Sequence, residues 1–286
     1  MFKRIIRASS LPSFNDCALN ASCHIKVIDG DKQVGLPEFM GFTLNRSDKS
    51  GRKSVVGTAL HKAGETYLQA KIDKKPISLL AAREAMMQNL DENFVEDEET
   101  NAAEKKESRP IATKDSAAEY LDAMWGTLGP VVEKFDPIAV EIETTRVLDE
   151  NTVITGHPDW VLRVPGGIKV DDLKTTGAPV PMTFPAQVGE YINQIEDMGL
   201  YEEEIVEGGT TAVRRLKQKP PTVHKTSYDV GAIKEFANNT AHRFSANIDR
   251  FLATGDPNSF NANPKSNICN PKYCPAYGTD YCKVGR

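Results

Sequence analysis

Two carboxylates and a lysine are predicted to converge within residues 156–176, GHPDWVLRVPGGIKVDDLKTT. A β-hairpin with a two- or four-residue loop centred on Pro165-Gly166 would place Asp159 opposite Asp172, about 5 Å apart at Cβ. Lys174 lies two residues beyond Asp172, so the alternation of side chains along a strand puts it on the same face. An odd-length loop would separate the two carboxylates, so this prediction depends on the turn.

Two carboxylates at this distance repel each other unless a cation lies between them. A hard divalent ion that prefers oxygen ligands, Mg²⁺ or Mn²⁺, is the natural occupant. Such an ion polarises a phosphoryl oxygen and lowers the pKa of a bound water, while a nearby lysine stabilises the developing negative charge. This set of side chains therefore fits phosphodiester hydrolysis.

The acid-x-lysine tripeptide has little weight by itself, because the sequence also contains it at Asp73–Lys75 and Glu104–Lys106. Such a pair is more often part of a solvated surface. The copy at Asp172–Lys174 differs from the others because it ends an apolar strand and has Asp159 as a predicted partner. That context favours a functional site.

The elements around this segment indicate a mixed α/β domain with one central mixed sheet flanked by helices. Val, Ile and Thr are frequent in residues 138–147, 152–164 and 168–175, which predicts a β-meander. Further strands are expected near 211–216 and 222–228, and helices are expected over 9–23, 54–71, 77–90, 115–135, 183–200 and 230–253.

The composition, with 40% hydrophobic and 26% charged residues, is typical of a globular protein. The net charge of −5 argues against a protein that coats nucleic acid by bulk charge, although a local basic groove is compatible with it. No apolar run is long enough for a membrane span or a signal peptide, so we expect a cytoplasmic protein without membrane contact. We expect one domain over 1–286, with the charge-dense residues 91–110 as an exposed linker or insertion.

The order of GHPD, a hairpin and VDDLKTT resembles the PD-(D/E)XK nucleases, and specifically their RecB-like branch. That branch includes the AddB helicase-nuclease subunit, CRISPR-adaptation nucleases and phage exonucleases. The resemblance implies a restriction-endonuclease-like core in which Asp159, Asp172 and the backbone carbonyl of Leu173 hold one or two Mg²⁺ or Mn²⁺ ions. It assigns charge stabilisation, or the orientation of the attacking water, to Lys174.

Two further motifs extend the resemblance. Residues 57–61, GTALH, resemble the upstream helical motif of the branch, which implies that His61 is a metal ligand. A polar histidine on a helix surface is the alternative. Gln187 and Tyr191 match the Q-x-x-x-Y motif of the branch, and their i,i+4 spacing puts both on one helical face. The resemblance implies that they position the scissile strand, and a buried tyrosine with a satisfied hydroxyl group is the alternative.

The chain has five cysteines, and three of them cluster near the C-terminus: Cys17, Cys23, Cys269, Cys274 and Cys282. In a reducing compartment such clustering favours metal binding over disulfides. One early and three late cysteines resemble the iron–sulfur subset of the branch, although the late spacing is wider here. The resemblance implies a [4Fe–4S] cluster, with zinc as the alternative, held by Cys17, Cys269, Cys274 and Cys282.

The early ligand is assigned to Cys17 because SLPSFND before it resembles the cysteine-containing entry motif of the branch. Cys23 has no such match and is expected to be a free, partly buried thiol. The cysteine-rich residues 255–286 would then pack against residues 9–23 and close the chain into a ring. Metal binding would thereby contribute to the folding free energy.

The resemblance implies a metal-dependent DNA exonuclease that cuts linear or single-stranded DNA in recombination, repair or phage DNA processing. DNA is the implied partner, and a recombination or single-strand-binding protein is a further candidate partner. An endonuclease built on the same core is one alternative. A non-catalytic DNA-binding or recombination adaptor is another.

Other charged residues are candidates whose role the sequence leaves open. Arg214, Arg215 and Lys217 are candidates for phosphate contacts, and a solvated surface strand explains them equally well. Glu141 and Glu143 are both candidates for a carboxylate near the metal ions, because strand parity does not decide between them.

Overall fold

The computed structural model describes residues 3–46, 51–95, 111, 113–176, 184–214 and 220–284. Ten strands lie in these described residues: β1 (Lys3–Arg7), β2 (Lys26–Asp29), β3 (Lys32–Gly35), β4 (Pro137–Val140), β5 (Thr144–Asp149), β6 (Thr152–Gly156), β7 (Trp160–Val164), β8 (Gly167–Thr176), β9 (Ile205–Arg214) and β10 (Thr222–Tyr228). They form two five-stranded sheets. Sheet one has the order β3-β2-β1-β6-β5, and sheet two has the order β10-β9-β8-β7-β4.

Both sheets are mixed, because β1 runs parallel to β6 and β8 runs parallel to β9 while the other pairs are antiparallel. The predicted mixed α/β fold class is confirmed. The prediction of one central sheet is wrong, since the strands of the meander divide between two sheets. The chain leaves sheet two after β4, forms β5 and β6 in sheet one, and returns to sheet two at β7.

Eight α-helices flank the sheets in the described part of the chain: α1 (Leu11–Asp16), α2 (Ala18–Ser22), α3 (Leu36–Phe39), α4 (Arg52–Ile72), α5 (Leu79–Asn93), α6 (Lys114–Val132), α7 (Pro185–Asp197) and α8 (Val230–Thr254). Helices α4, α5 and α6 bury apolar residues against one face of sheet two, where Leu173 lies. Helices α7 and α8 pack in a second core, which includes Val170 of the same strand. Strand β8 is therefore buried on both faces.

Local sequence signals fix the ends of several helices. The Ser78 side chain accepts a hydrogen bond from the Ala81 N–H at the start of α5 (3.1 Å), and Asp229 caps α8 in the same way. Helix α8 ends at Gly255, whose φ of +66° favours glycine. No helix among the described residues is long and apolar enough to cross a membrane.

The N-terminal region departs from the sequence prediction. Residues 9–23 are not one helix, because Cys17 has extended backbone angles (φ −144°, ψ 96°) and separates α1 from α2. The short strands β1, β2 and β3 were not predicted. The C-terminal tail packs on this region, where Asn263 Nδ2 donates to the Asp16 carbonyl oxygen (3.1 Å).

Of the predicted insertion at 91–110, α5 takes up the part to Asn93, and residues 96–110 lie outside the described residues.

Candidate active site

The β7–β8 hairpin brings the two predicted carboxylates to the same place. Its register pairs Trp160 with Asp171, as the two-residue loop at Pro165-Gly166 requires, and Gly166 has a φ of +90° that favours glycine. Asp159 immediately precedes β7, and its Oδ2 accepts a hydrogen bond from the backbone N–H of Leu173. Asp159 and Asp172 are both buried, with exposures of 6% and 1%.

Three side chains contact or surround the Asp172 carboxylate. Lys174 Nζ lies 2.6 Å from Asp172 Oδ2 and also lies over the Phe184 ring, 4.9 Å from its centroid. Gln187 Nε2 donates to Asp172 Oδ1 (3.1 Å) and lies 2.7 Å from the Tyr191 hydroxyl. The i,i+4 pair on α7 thus faces the carboxylate, while the side chain of Lys174 remains 24% exposed.

A histidine and a third carboxylate approach Asp159 from other elements. His61 Nδ1, on α4, lies 3.1 Å from Asp159 Oδ1 and 3.7 Å from Glu141 Oε1. Among the described residues, these three side chains are the group whose metal-ligating atoms all lie within 4.8 Å of one another. Gly57, one turn before His61, lets α4 approach β8, since an added Cβ would lie 3.2 Å from Thr175 Oγ1.

Glu141 enters the site through an unusual backbone conformation just after β4. Its φ is +47°, and its N–H donates to the Asp159 carbonyl oxygen (3.0 Å). Glu143 instead is an exposed residue 3.7 Å from His157. Strand parity cannot predict this outcome, because the residue that leaves the regular strand conformation is the one that reaches the site.

The charges of the site are unbalanced. Burial and the neighbouring Asp159 carboxylate raise the pKa of Asp172 to about 7, although Lys174 acts in the opposite direction. Burial lowers the pKa of His61, but the carboxylates of Asp159 and Glu141 outweigh burial and raise this pKa to about 10. When all three carboxylates are ionised, they outnumber the two cations of the site, His61 and Lys174. Its three carboxylates and one imidazole are a donor set that suits a hard divalent cation.

The sequence matches the family model described as the PD-(D/E)XK nuclease superfamily over residues 31–281. The chain belongs to the PD-(D/E)XK nuclease superfamily. The family predicted from the sequence is confirmed, and the two mixed sheets flanked by helices agree with the restriction-endonuclease-like fold.

Two solved structures are similar to this superfamily member at low sequence identity. One is a protein from Eubacterium rectale named as a candidate exonuclease, with 11% identity, a TM-score of 0.46, and coverage of 93% of this chain and 86% of that one. The other is SSO0001, with 14% identity, a TM-score of 0.28, and coverage of 72% and 81%. The sequence matches none of the curated proteins.

A second cluster of potential ligands lies where the tail of this nuclease chain meets α1 and α2. Burial and the nearby thiols of Cys282, Cys274 and Cys17 raise the pKa of Cys269. The backbone N–H of Asn263 donates to Cys17 Sγ at 3.4 Å. The structure thus places the thiols of Cys17, Cys274 and Cys282 near Cys269, although 252 positions separate Cys17 from Cys269.

The fifth cysteine, Cys23, has a different environment. It is fully buried, and its thiol donates to the Leu19 carbonyl oxygen at 3.4 Å. Burial raises its pKa well above the ordinary value, with a smaller contribution from Cys274. Cys23 therefore differs from the half-buried Cys269 in its complete burial and in its hydrogen bond to the backbone.

The predicted phosphate-contact residues are only partly described. Arg214 ends β9, where the parallel register pairs it with Thr176, two residues beyond Lys174. It therefore lies at the end of sheet two that carries the carboxylates. Arg215 and Lys217 lie outside the described residues.

Proposed function

We propose that this nuclease is a metal-dependent DNA exonuclease whose catalytic residues gather around Asp159 and Asp172 of the β7–β8 hairpin, contributed by α4, α7 and the hairpin itself. The observation that carries the proposal is the Asp172–Lys174 ion pair beside the group formed by His61, Glu141 and Asp159. One face of the fold thereby combines a cation-binding donor set with a partly exposed lysine. We take residues 1–286 as one nuclease domain.

The metal ligands would be His61, Asp159, Asp172 and the backbone carbonyl of Leu173, with Glu141 added from the structure. The hydrogen bond from the Leu173 N–H to Asp159 fixes this carboxylate relative to β8. One or two bound Mg²⁺ or Mn²⁺ ions would supply polarisation of the phosphoryl oxygen and acidification of a bound water.

Lys174 would stabilise the charge that develops on the phosphate, or orient the attacking water. Its ammonium group is held by Asp172 and by the face of the Phe184 ring, which restricts the long side chain. The Gln187 side-chain amide contacts both the Asp172 carboxylate and the Tyr191 hydroxyl group. A DNA strand bound by Gln187 and Tyr191 would therefore be held at a fixed distance from this carboxylate.

The substrate proposed is DNA, taken as a free end or a single strand. The support for DNA ends is the resemblance of GTALH, GHPD, VDDLKTT and Q-x-x-x-Y, in this order, to the RecB-like branch. Arg214 beside Thr176 is a candidate for a backbone phosphate contact, and Arg215 and Lys217 follow it in the sequence. Phosphate contacts position a strand without reading its sequence.

Digestion of end-labelled linear DNA in Mn²⁺ tests this proposal, with a closed circular plasmid as the matched substrate. We expect the linear substrate to be degraded from an end and the circle to remain intact. Cutting of the circle would assign the chain to the endonuclease alternative. Binding of both DNAs without any cleavage would support the non-catalytic adaptor and contradict the proposal.

We propose further that Cys17, Cys269, Cys274 and Cys282 hold a [4Fe–4S] cluster that joins the tail to α1 and α2. One early and three late cysteines resemble the iron–sulfur subset of the branch, which supports a cluster, with a tetrahedral zinc ion as the alternative. The N–H···S bond from Asn263 to Cys17 suits a sulfur ligand of either group.

Visible absorption together with iron and zinc analysis of the purified protein tests this second proposal. We expect broad charge-transfer absorption and about four iron atoms per chain in the wild type. Cys17→Ser should lose the iron, while the matched variant Cys23→Ser should keep it. Stoichiometric zinc without iron, or equal losses in the two variants, would contradict the assignment.

A further inference from the structure

A polar cleft of about 470 Å³ opens on the exposed face of sheet one, next to the candidate active site. The sheet register explains which side chains line it. Arg7 of β1 is paired with Thr155 of β6, Thr155 is paired with Thr145 of β5, and Ile5 is paired with Lys26 of β2. Cross-strand partners share a face, and Ile5 and Arg7 are two residues apart on β1, so these five residues lie on one face in two adjacent cross-strand rows.

The cleft carries an excess of potential positive charge. Arg7 and Lys26 line it together with His24 and His157, and Glu143 is the acidic residue in its lining. Burial lowers the pKa of His24, and the nearby Arg46, Arg7 and Lys26 lower it further. This local excess stands against a net charge of −5 for the chain.

The cleft adjoins the candidate active site at two points. Tyr191 lines it, and its hydroxyl group contacts Gln187 Nε2 (2.7 Å), which in turn donates to Asp172 Oδ1 (3.1 Å). In addition, β6 leads from Thr155 through Gly156 and His157 directly to Asp159. The cleft therefore lies beside the residues that hold the two carboxylates.

We propose that this cleft binds the sugar–phosphate backbone of the substrate strand on one side of the scissile bond, through Arg7 and Lys26. This inference rests on the proposed nuclease function and names a binding surface for the same site. The volume lies in the range of sites that enclose one small ligand, about 300–1,000 Å³, and so suits a nucleotide-sized segment of a strand. Hydroxyl and amide side chains such as Ser9, Thr145 and Gln33 are common donors to backbone phosphates.

Fluorescence anisotropy with labelled single-stranded oligothymidylate, measured in EDTA so that no metal supports cleavage, tests this binding surface. The variants are Arg7→Gln with Lys26→Gln, and the matched control is Lys32→Gln, an exposed lysine of β3 outside the cleft. Titrations between about 50 and 200 mM NaCl give the slope of log Kd against log salt, which falls by about 0.7 for each lost phosphate contact with a single strand.

We expect the double variant to bind about tenfold more weakly and to lose about 1.4 from this slope, equally for oligothymidylate and oligodeoxyadenylate. Lys32→Gln should match the wild type. A double variant that binds like Lys32→Gln would overturn the inference. Should the double variant fail to fold, the two single variants decide the question, with an expected loss of about 0.7 each.

The outcome separates this inference from the proposed function. Wild-type cleavage in Mn²⁺, measured in parallel, reports the nuclease activity alone. Weakened binding by the cleft variants together with an inactive wild type would contradict the exonuclease proposal and leave the cleft as a strand-binding surface. Active wild type with unchanged binding by the cleft variants would contradict the cleft and leave the nuclease.

Discussion

Asp171 and Asp172 are adjacent on β8, and they lie on opposite faces of sheet two in two different environments. Each carboxylate is buried, and each has a lysine two residues away on its own face. Lys169 Nζ lies 3.6 Å from Asp171 Oδ2, and Lys174 Nζ lies 2.6 Å from Asp172 Oδ2. The same pair of residue types thus occurs twice within six positions of one strand.

The two pairs differ in their further partners. Asp171 accepts a hydrogen bond from Thr211 Oγ1 (2.7 Å), and Lys169 has a second acid, Glu207 Oε1, at 3.0 Å. The side chain of Lys169 is only 10% exposed, and Gly209 leaves the space for it, because an added Cβ would lie 2.6 Å from Lys169 Cε. This pair is enclosed by the fold.

The Asp172–Lys174 pair lies instead beside a second carboxylate, and this difference appears in the causes of the pKa shifts. Burial raises the pKa of Asp171, and Lys169 and Thr211 offset it. Burial raises the pKa of Asp172 to about 7, and repulsion from Asp159 is the next largest cause. An acid–lysine pair therefore becomes a candidate site through the charge that remains unbalanced around it.

Replacing each lysine by methionine should separate the two pairs most strongly. We expect Lys174→Met to reduce the rate of DNA cleavage about 10³-fold, because charge on the phosphate would lose its stabilising cation. Lys169→Met should keep the rate within about tenfold of the wild type, but lower the free energy of unfolding by about 3 kcal/mol, because the buried Asp171 carboxylate loses its cation. Cleavage kinetics and urea denaturation measure the two effects.

The comparison would fail if the losses were reversed or equal. Loss of cleavage by Lys169→Met at unchanged stability would place the catalytic charge on the Asp171 face. Full activity of Lys174→Met would remove the lysine from the proposed mechanism.

Metal binding beside Asp172 should be measurable by thermal unfolding, without any activity assay. Mn²⁺ at about 100 times its Kd should stabilise the wild type by about 2.7 kcal/mol, which raises Tm by several degrees. Asp159→Asn should abolish this shift, because the donor set loses a carboxylate. The matched control Glu65→Gln, one turn after His61 and paired with Lys62 at 2.9 Å, should keep it. A shift retained by Asp159→Asn would contradict the proposed metal ligands.

Gly156 allows a test of Tyr191 that leaves the carboxylates unchanged, because the absence of a side chain at Gly156 makes room for the Tyr191 ring. An added Cβ would lie 2.3 Å from Gln194 Oε1 and 2.8 Å from Tyr191 Cε1. We expect Gly156→Ala to lower the free energy of unfolding by about 1–3 kcal/mol through overpacking and to slow cleavage about tenfold. The control is Gly126→Ala in α6, where an added Cβ meets no atom within 4 Å and should raise stability by about 0.5–1 kcal/mol. Wild-type kinetics of Gly156→Ala would exclude Tyr191 from strand positioning.

The register of the hairpin could be predicted from the sequence because its determinants are local. Pro165-Gly166 defines the turn, and the alternation of a strand then assigns a face to every following residue. The same alternation predicts that Asp171 faces away from Asp172. No local sequence signal brings α4 or α7 to the hairpin. The family resemblance was therefore needed to assign His61, Gln187 and Tyr191 to the site, and helical spacing added only that Gln187 and Tyr191 share a face.

Other features could not be predicted, because they depend on tertiary contacts. The role of Glu141 depends on a positive φ that the Asp159 carbonyl stabilises from another strand. Strands β1, β2 and β3 have four or five residues of mixed polarity, which is too short for a clear period-2 pattern. The division into two sheets follows from these unpredicted strands, since β6 pairs with β1.

The most direct test compares Asp172→Asn with Asp171→Asn in the digestion of end-labelled DNA with Mn²⁺. Both variants replace an acid by its amide on the same strand, at adjacent positions and with equal change in size. We predict that Asp172→Asn loses cleavage by about 10³-fold or more, while Asp171→Asn stays within about tenfold of the wild type. Equal activity of the two variants, or a greater loss in Asp171→Asn, would contradict the assignment of the catalytic face.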